Sequence, residues 1–141
     1  MIKNIFSKVF LLLAVTIVSA EAQDLADIKK QGTLRHLGIP YANFVTGAGD
    51  GFSVDLAKGF AAHLGVRYEF VEADWGTIIQ DLIGREVTPK GIDVEIGAEK
   101  PIRGDIIANG LTIVPWREKA IRYSSPTFPT QIWLVARSDS P

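Results

Sequence analysis

From Thr33 onward the hydrophobic positions switch repeatedly between the two-residue period of a strand and the three-to-four-residue period of a helix. A short amphipathic turn or helix, Leu25–Gln31, closes at Gly32, and Thr33–Gly38 then reads as a first strand. The Gly47-Ala48-Gly49-Asp50-Gly51 cluster is a loop. Beyond it Leu56, Phe60, Ala61 and Leu64 recur at helical spacing from a capping Ser53 to a terminal Gly65, with Gly59 slightly weakening the interior. Val66-Arg67-Tyr68-Glu69-Phe70 alternates, as a second strand with one buried face does. Trp75, Ile78, Ile79, Leu82 and Ile83 form the clearest helical stripe of the chain, capped by Asp74 and stopped by Gly84.

Residues 86–103 break this rhythm, with Thr88-Pro89-Lys90-Gly91 followed by Ile92, Val94 and Ile96, and predict an inserted hairpin or long loop. Asp105-Ile106-Ile107-Ala108 predicts a third, fully buried strand. Pro115 opens a short helix carrying Arg117, Glu118 and Lys119, and Thr130–Arg137 is a long strand candidate. The order β-α-β-α-β with right-handed crossovers predicts an α/β fold: an open, mostly parallel sheet with helices on both faces.

The N-terminus follows a different logic. Lys3 and Lys8 precede the apolar run Val9–Val18, and Ala20-Glu21-Ala22 offers the small residues of a cleavage site, so residues 1–22 are expected to be a signal peptide and residues 23–141 the folded domain. The run falls short of the roughly 20 apolar residues of a membrane span, although a retained N-terminal anchor is the competing reading. No Cys follows it to take a lipid. Removing Lys3, Lys8 and Glu21 from 15 basic and 16 acidic residues leaves 13 against 15, a net charge of -2 that favours neither nucleic acid nor an anionic membrane. With no Cys and two His, neither a disulfide framework nor a His/Cys metal centre is expected.

Ligands of such sheets bind beyond the carboxyl ends of the strands, where Tyr41, Trp75 and the segment from Gly110 to Arg117 fall. A strand end offering backbone N–H groups, the Thr112 hydroxyl and the forked guanidinium of Arg117 suits a carboxylate. Each of these residues has a structural alternative. Arg117 could be a surface cation, Thr112 a turn hydroxyl, Trp75 a core side chain and Tyr41 a loop aromatic. Lys58 and His63 read as solvated helix faces, and Asp93, Glu95, Glu99 and Asp105 as solvated charge rather than a metal cluster. No Gly-x-Ser-x-Gly elbow, His-Glu-x-x-His helix or phosphate-cradling loop is present, so neither catalysis nor a cofactor is expected.

Taken in order, Gly32-Thr33-Leu34-Arg35, Tyr41-Ala42-Asn43-Phe44, Gly51-Phe52-Ser53-Val54-Asp55-Leu56-Ala57, Gly110-Leu111-Thr112 with Arg117 five residues on, and Tyr123-Ser124-Ser125-Pro126 resemble the first lobe of the family 3 bacterial solute-binding proteins. These are type II periplasmic amino-acid receptors of ABC transporters. The resemblance covers nearly all of residues 24–137. It implies one lobe of a type II periplasmic-binding-protein fold, an extracytoplasmic location, a small carboxylate ligand and transporter membrane subunits as partners. It also implies that Arg117 pairs with an α-carboxylate, that Thr112 and the Gly110 backbone complete its hydrogen bonds, and that Tyr41 and Trp75 pack on the ligand's side chain. Ser53 and Val114 depart from the family pattern, as does the insertion before Gly104, and no second lobe is in the sequence. The same elements would occur in the regulatory lobe of a membrane-bound lytic transglycosylase, or in a periplasmic dehydratase acting on prephenate or arogenate.

Overall fold

The computed structural model describes residues 24–127 and Pro129. The expected leader and the strand candidate Thr130–Arg137 lie outside those residues. Asp24 caps the first helix, α1 (Leu25–Gln31), its carboxylate accepting from the N–H groups of Ala26 and Asp27. Strand β1 (Thr33–Gly38) follows, then α2 (Phe52–Leu64), β2 (Arg67–Glu72), α3 (Ile78–Ile83), an antiparallel hairpin of β3 (Arg85–Lys90) and β4 (Asp93–Glu99), β5 (Ile106–Ile107) and α4 (Pro115–Ala120). The main sheet is parallel in the order β2-β1-β5, with β1 central.

Alternation along β1 divides the core between the two faces of this sheet. Leu34 faces α1 and α2, packing with Ile28, Ala61, Leu64, Tyr68 and Ile106. Leu37 points the other way, to a cluster with Ile39, Ile78 and Ile79 that also gathers Val87, Trp116 and Ala120 from the hairpin and α4. The architecture is thus α/β, with helices on both faces of a parallel sheet.

Several local expectations change. Helix α2 is capped at Gly51, not Ser53, because the Phe52 and Ser53 amides donate to the carbonyls of Asn43 and Phe44 at 2.9 Å each, leaving Ser53 buried within the first turn. Gly51 has φ 123°, and a Cβ there would lie 2.6 Å from the Phe44 carbonyl oxygen. Gly51→Ala is therefore expected to destabilise the domain by about 1–3 kcal/mol, visible as a lower urea midpoint.

Helix α3 starts at Ile78 rather than Trp75. The Asp74 carboxylate accepts from the Gly76 amide at 2.7 Å and its carbonyl from Thr77 and Ile78, making a separate turn that swings Trp75 off the core stripe. Strand β5 is two residues long and half-buried instead of fully buried. Asp105, expected to be solvated, has a side chain with 0% exposure. Its carboxylate accepts from the Arg35 backbone amide at 2.7 Å, from Nε at 3.2 Å and from Nη2 at 2.6 Å.

Residues 85–99 form a hairpin whose two-residue turn is Gly91-Ile92, with Lys90 opposite Asp93. Two contacts tie it down. Asp93 pairs with Lys119 of α4, and Arg103, on the return, binds Asp81 Oδ2 and the Glu72 carbonyl at 2.9 Å each.

Candidate functional site

The carboxyl ends of β1 and β2 run into the two loops that carry the exposed aromatics. After β1 the chain makes a tight turn in which the Tyr41 amide donates to the Val45 carbonyl at 2.8 Å and Ala42 takes φ 46°, a conformation that a residue with a Cβ seldom adopts. This turn holds Tyr41 outward, and the turn at Asp74 brings Trp75 to it. Their rings meet edge to face with centroids 5.6 Å apart, both residues about half exposed (49% and 45%). Tyr41 also stacks on Phe44 at 6.1 Å, and Phe44 meets Phe52 edge-on at 6.3 Å. Such a row presents both ring faces and edges to a ligand.

Gly110 joins this row to the polar side of the site. Its φ of 64° and its distance from Phe44, where a Cβ would sit 3.2 Å from the ring, leave room for glycine alone without strain. Thr112 lies two residues on, at most about 7 Å along the chain. It is exposed, and its carbonyl accepts two bonds, one from Arg117 Nη1 and one from the Tyr123 hydroxyl, each at 3.0 Å. Arg117 is half-buried in the first turn of α4 and lies over the Trp116 indole at 5.2 Å. Its Nε is buried with no hydrogen-bond partner among the described residues. Burial pushes the Tyr123 phenol above its ordinary pKa, and the adjacent Arg117 cation pulls it partly back.

Phe44 lies against both Tyr41 and Gly110, and Trp75 joins them through Tyr41, while Thr112 and Arg117 are joined directly. Arg117 and Tyr41 share no hydrogen bond or ring contact among the described residues. Arg117 uses Nη1 on the backbone of its own loop, which pre-sets the position of the guanidinium. Among the described residues no group of three or more His, Asp or Glu side chains could hold a metal ion.

Sequence reasoning gave no role to Phe44, Tyr123, His36 or Asn109. The first two lie inside the quoted Tyr-Ala-Asn-Phe and Tyr-Ser-Ser-Pro segments. His36 shares a strand face with Leu34, which could have marked it as buried. Asn109 directly precedes Gly110, and nothing local in the sequence marks its side chain as buried.

A parallel sheet with helices on both faces, carrying an aromatic row and a loop-held guanidinium beyond its strand ends, has the architecture of one lobe of a type II periplasmic-binding-protein fold. Residues 38–141 match the bacterial extracellular solute-binding proteins, family 3, and the chain belongs to that family. Among solved structures, an ancestral cationic amino acid solute-binding protein is 36% identical over 67% of this chain and 36% of its own, with a TM-score of 0.51. An ancestral cyclohexadienyl dehydratase is 32% identical over 67% of this chain and 34% of its own, with a TM-score of 0.53. A mutant of the arginine-bound domain 1 of ArgBP from T. maritima is 30% identical over 74% of this chain and 72% of its own, with a TM-score of 0.52. The chain thus spans little more than a third of the two ancestral proteins. No curated protein is significantly similar to it.

Proposed function

We propose that this chain is the carboxylate-anchoring lobe of an extracytoplasmic receptor that binds an amino acid or a similar small carboxylate for ABC-type uptake, exported by the leader at residues 1–22. The observation that carries the reading is Arg117: a half-buried guanidinium fixed by the Thr112 carbonyl, with a buried Nε that has no partner among the described residues, one short loop away from an aromatic row. Arg117 binds the ligand carboxylate. Thr112 and the Gly110 amide add donors, and Tyr41 and Trp75 cover the ligand's side chain. The likeness to an arginine-bound domain and to a cationic amino acid binder supports an amino-acid ligand.

This lobe by itself covers one side of the ligand, so affinity rises when a second lobe closes over the other side. A second reading, favoured by the likeness to an ancestral cyclohexadienyl dehydratase, is that the complete site turns over a cyclic carboxylate. Calorimetry of the chain against an amino-acid panel that includes L-arginine, with prephenate incubated in parallel, separates the two. The receptor reading expects saturable heat from at least one amino acid and no product from prephenate. Silence across the whole panel would remove it, and turnover of prephenate would replace it with the enzyme.

A further inference from the structure

The segment that carries the candidate anchor outruns the strand ladder that should hold it. Strands β1 and β5 share two registered pairs, His36 with Ile106 and Leu37 with Ile107. Past them, two side chains take over. His36 Nε2 lies 2.8 Å from the Ala108 carbonyl oxygen, and the Ile39 amide donates to Asn109 Oδ1 at 2.8 Å. Both residues are closed to solvent, His36 at 0% and Asn109 at 1% exposure.

The chemistry of the partners fixes the state of each side chain. A carbonyl can only accept, so Nε2 carries the imidazole proton, and Nδ1 accepts from the Tyr68 hydroxyl 2.9 Å away. The Ile39 amide can only donate, so the Asn109 oxygen faces it and Nδ2 is left buried with no partner among the described residues. Burying an unsatisfied amide is a cost that an apolar residue would not carry. The bond from Ile39 to Oδ1 is what that cost obtains.

We infer that His36 and Asn109 are positioning residues that clamp Ala108 and Asn109 to β1, and so set where Gly110 and Thr112 present their groups to a ligand. The inference rests on the reading of Gly110, Thr112 and Arg117 as a carboxylate anchor. One half of the clamp responds to pH. A second proton would make both ring nitrogens donors and force the Tyr68 hydroxyl to turn from donor to acceptor.

Among the described residues, the groups facing His36 are Tyr68 and Phe70 from β2 and the Ala108 carbonyl just past β5, with Lys58 of α2 beyond the Tyr68 ring at 5.7 Å. None is anionic, so nothing here compensates a buried imidazolium. Burial accordingly pushes the His36 pKa below its ordinary value, and the bond to Ala108 restores part of the loss. The unfolded chain takes up this proton near pH 6.5 while the folded lobe resists it, so the contribution is present above about pH 6.5 and is lost as pH falls below it.

Hydrogen exchange on the ligand-free chain tests the clamp, using His36→Phe and Asn109→Ala, with L-arginine titration beside it. Each variant is expected to speed exchange across residues 108–112 by roughly tenfold while the β1–β2 ladder stays within about twofold. Acidifying the wild type from about pH 7.5 to about pH 5.5 should loosen the same segment, and His36→Phe should remove that dependence. Uniform acceleration across the sheet, or none in residues 108–112, overturns the inference. If no amino acid binds the wild type, the receptor reading fails while the exchange pattern still decides the clamp.

Discussion

Replacing Arg117 with alanine is expected to weaken amino-acid binding by roughly 100-fold or more, because the ligand carboxylate loses at least two charge-assisted hydrogen bonds worth about 1.5–3 kcal/mol each. Arg117→Lys keeps the charge but not the planar fork, and should recover only part of the loss. Stability should change little in either variant, since Arg117 sits on a short helix and its hydrogen bond to Thr112 goes to an exposed loop carbonyl. Calorimetry and a thermal melt on each variant check both halves. An alanine variant that binds as tightly as the wild type would detach the guanidinium from the ligand.

The largest expected effect on folding lies at Arg35. Asp105 keeps no exposure and receives three bonds from this one residue, two of them from the guanidinium. Arg35→Met removes those two and leaves a buried carboxylate holding a single amide. Stripping one partner from a buried ion pair typically costs 3–5 kcal/mol, and the partial exposure of Arg35, 23% for its side chain, argues for the lower end, about 3 kcal/mol. In a domain of this size that corresponds to a fall in Tm of roughly 10–20 °C. Asp105→Asn, which keeps one acceptor, should cost less. A melt of Arg35→Met within a degree or two of the wild type would mean that the carboxylate is satisfied some other way.

The sheet and its flanking helices were legible because their signals are local. Period-two runs mark β1 and β2, and glycines at Gly32, Gly65 and Gly84 end three helices in the left-handed conformation. The alternating order of those elements then implied the parallel topology. What escaped was set by contacts distant in sequence. The cap of α2 comes from the carbonyls of Asn43 and Phe44, and nothing in Ser53-Val54-Asp55 announces that. Asp74 satisfies a turn of its own before the helix begins, which shifts Trp75 from the predicted core stripe to an exposed position against Tyr41. Asp105 read as solvated because its neutralising partner is 70 residues away. The same separation hid the bond between Ile39 and Asn109. At the candidate site, chain order could propose Tyr41, Trp75, Gly110, Thr112 and Arg117. It could not say that Phe44 links Tyr41 to Gly110, or that the Thr112 carbonyl, more than its hydroxyl, holds the cation.

The hairpin of β3 and β4 rests against the helix that bears Arg117, through Lys119 on Asp93 and the shared apolar contacts of Val87, Trp116 and Ala120. Changes in that outer arm can therefore alter the aim of the Arg117 guanidinium from behind, without touching any residue of the candidate site. A lobe built this way can have its selectivity retuned by mutations that look, from the pocket, as though they were far away.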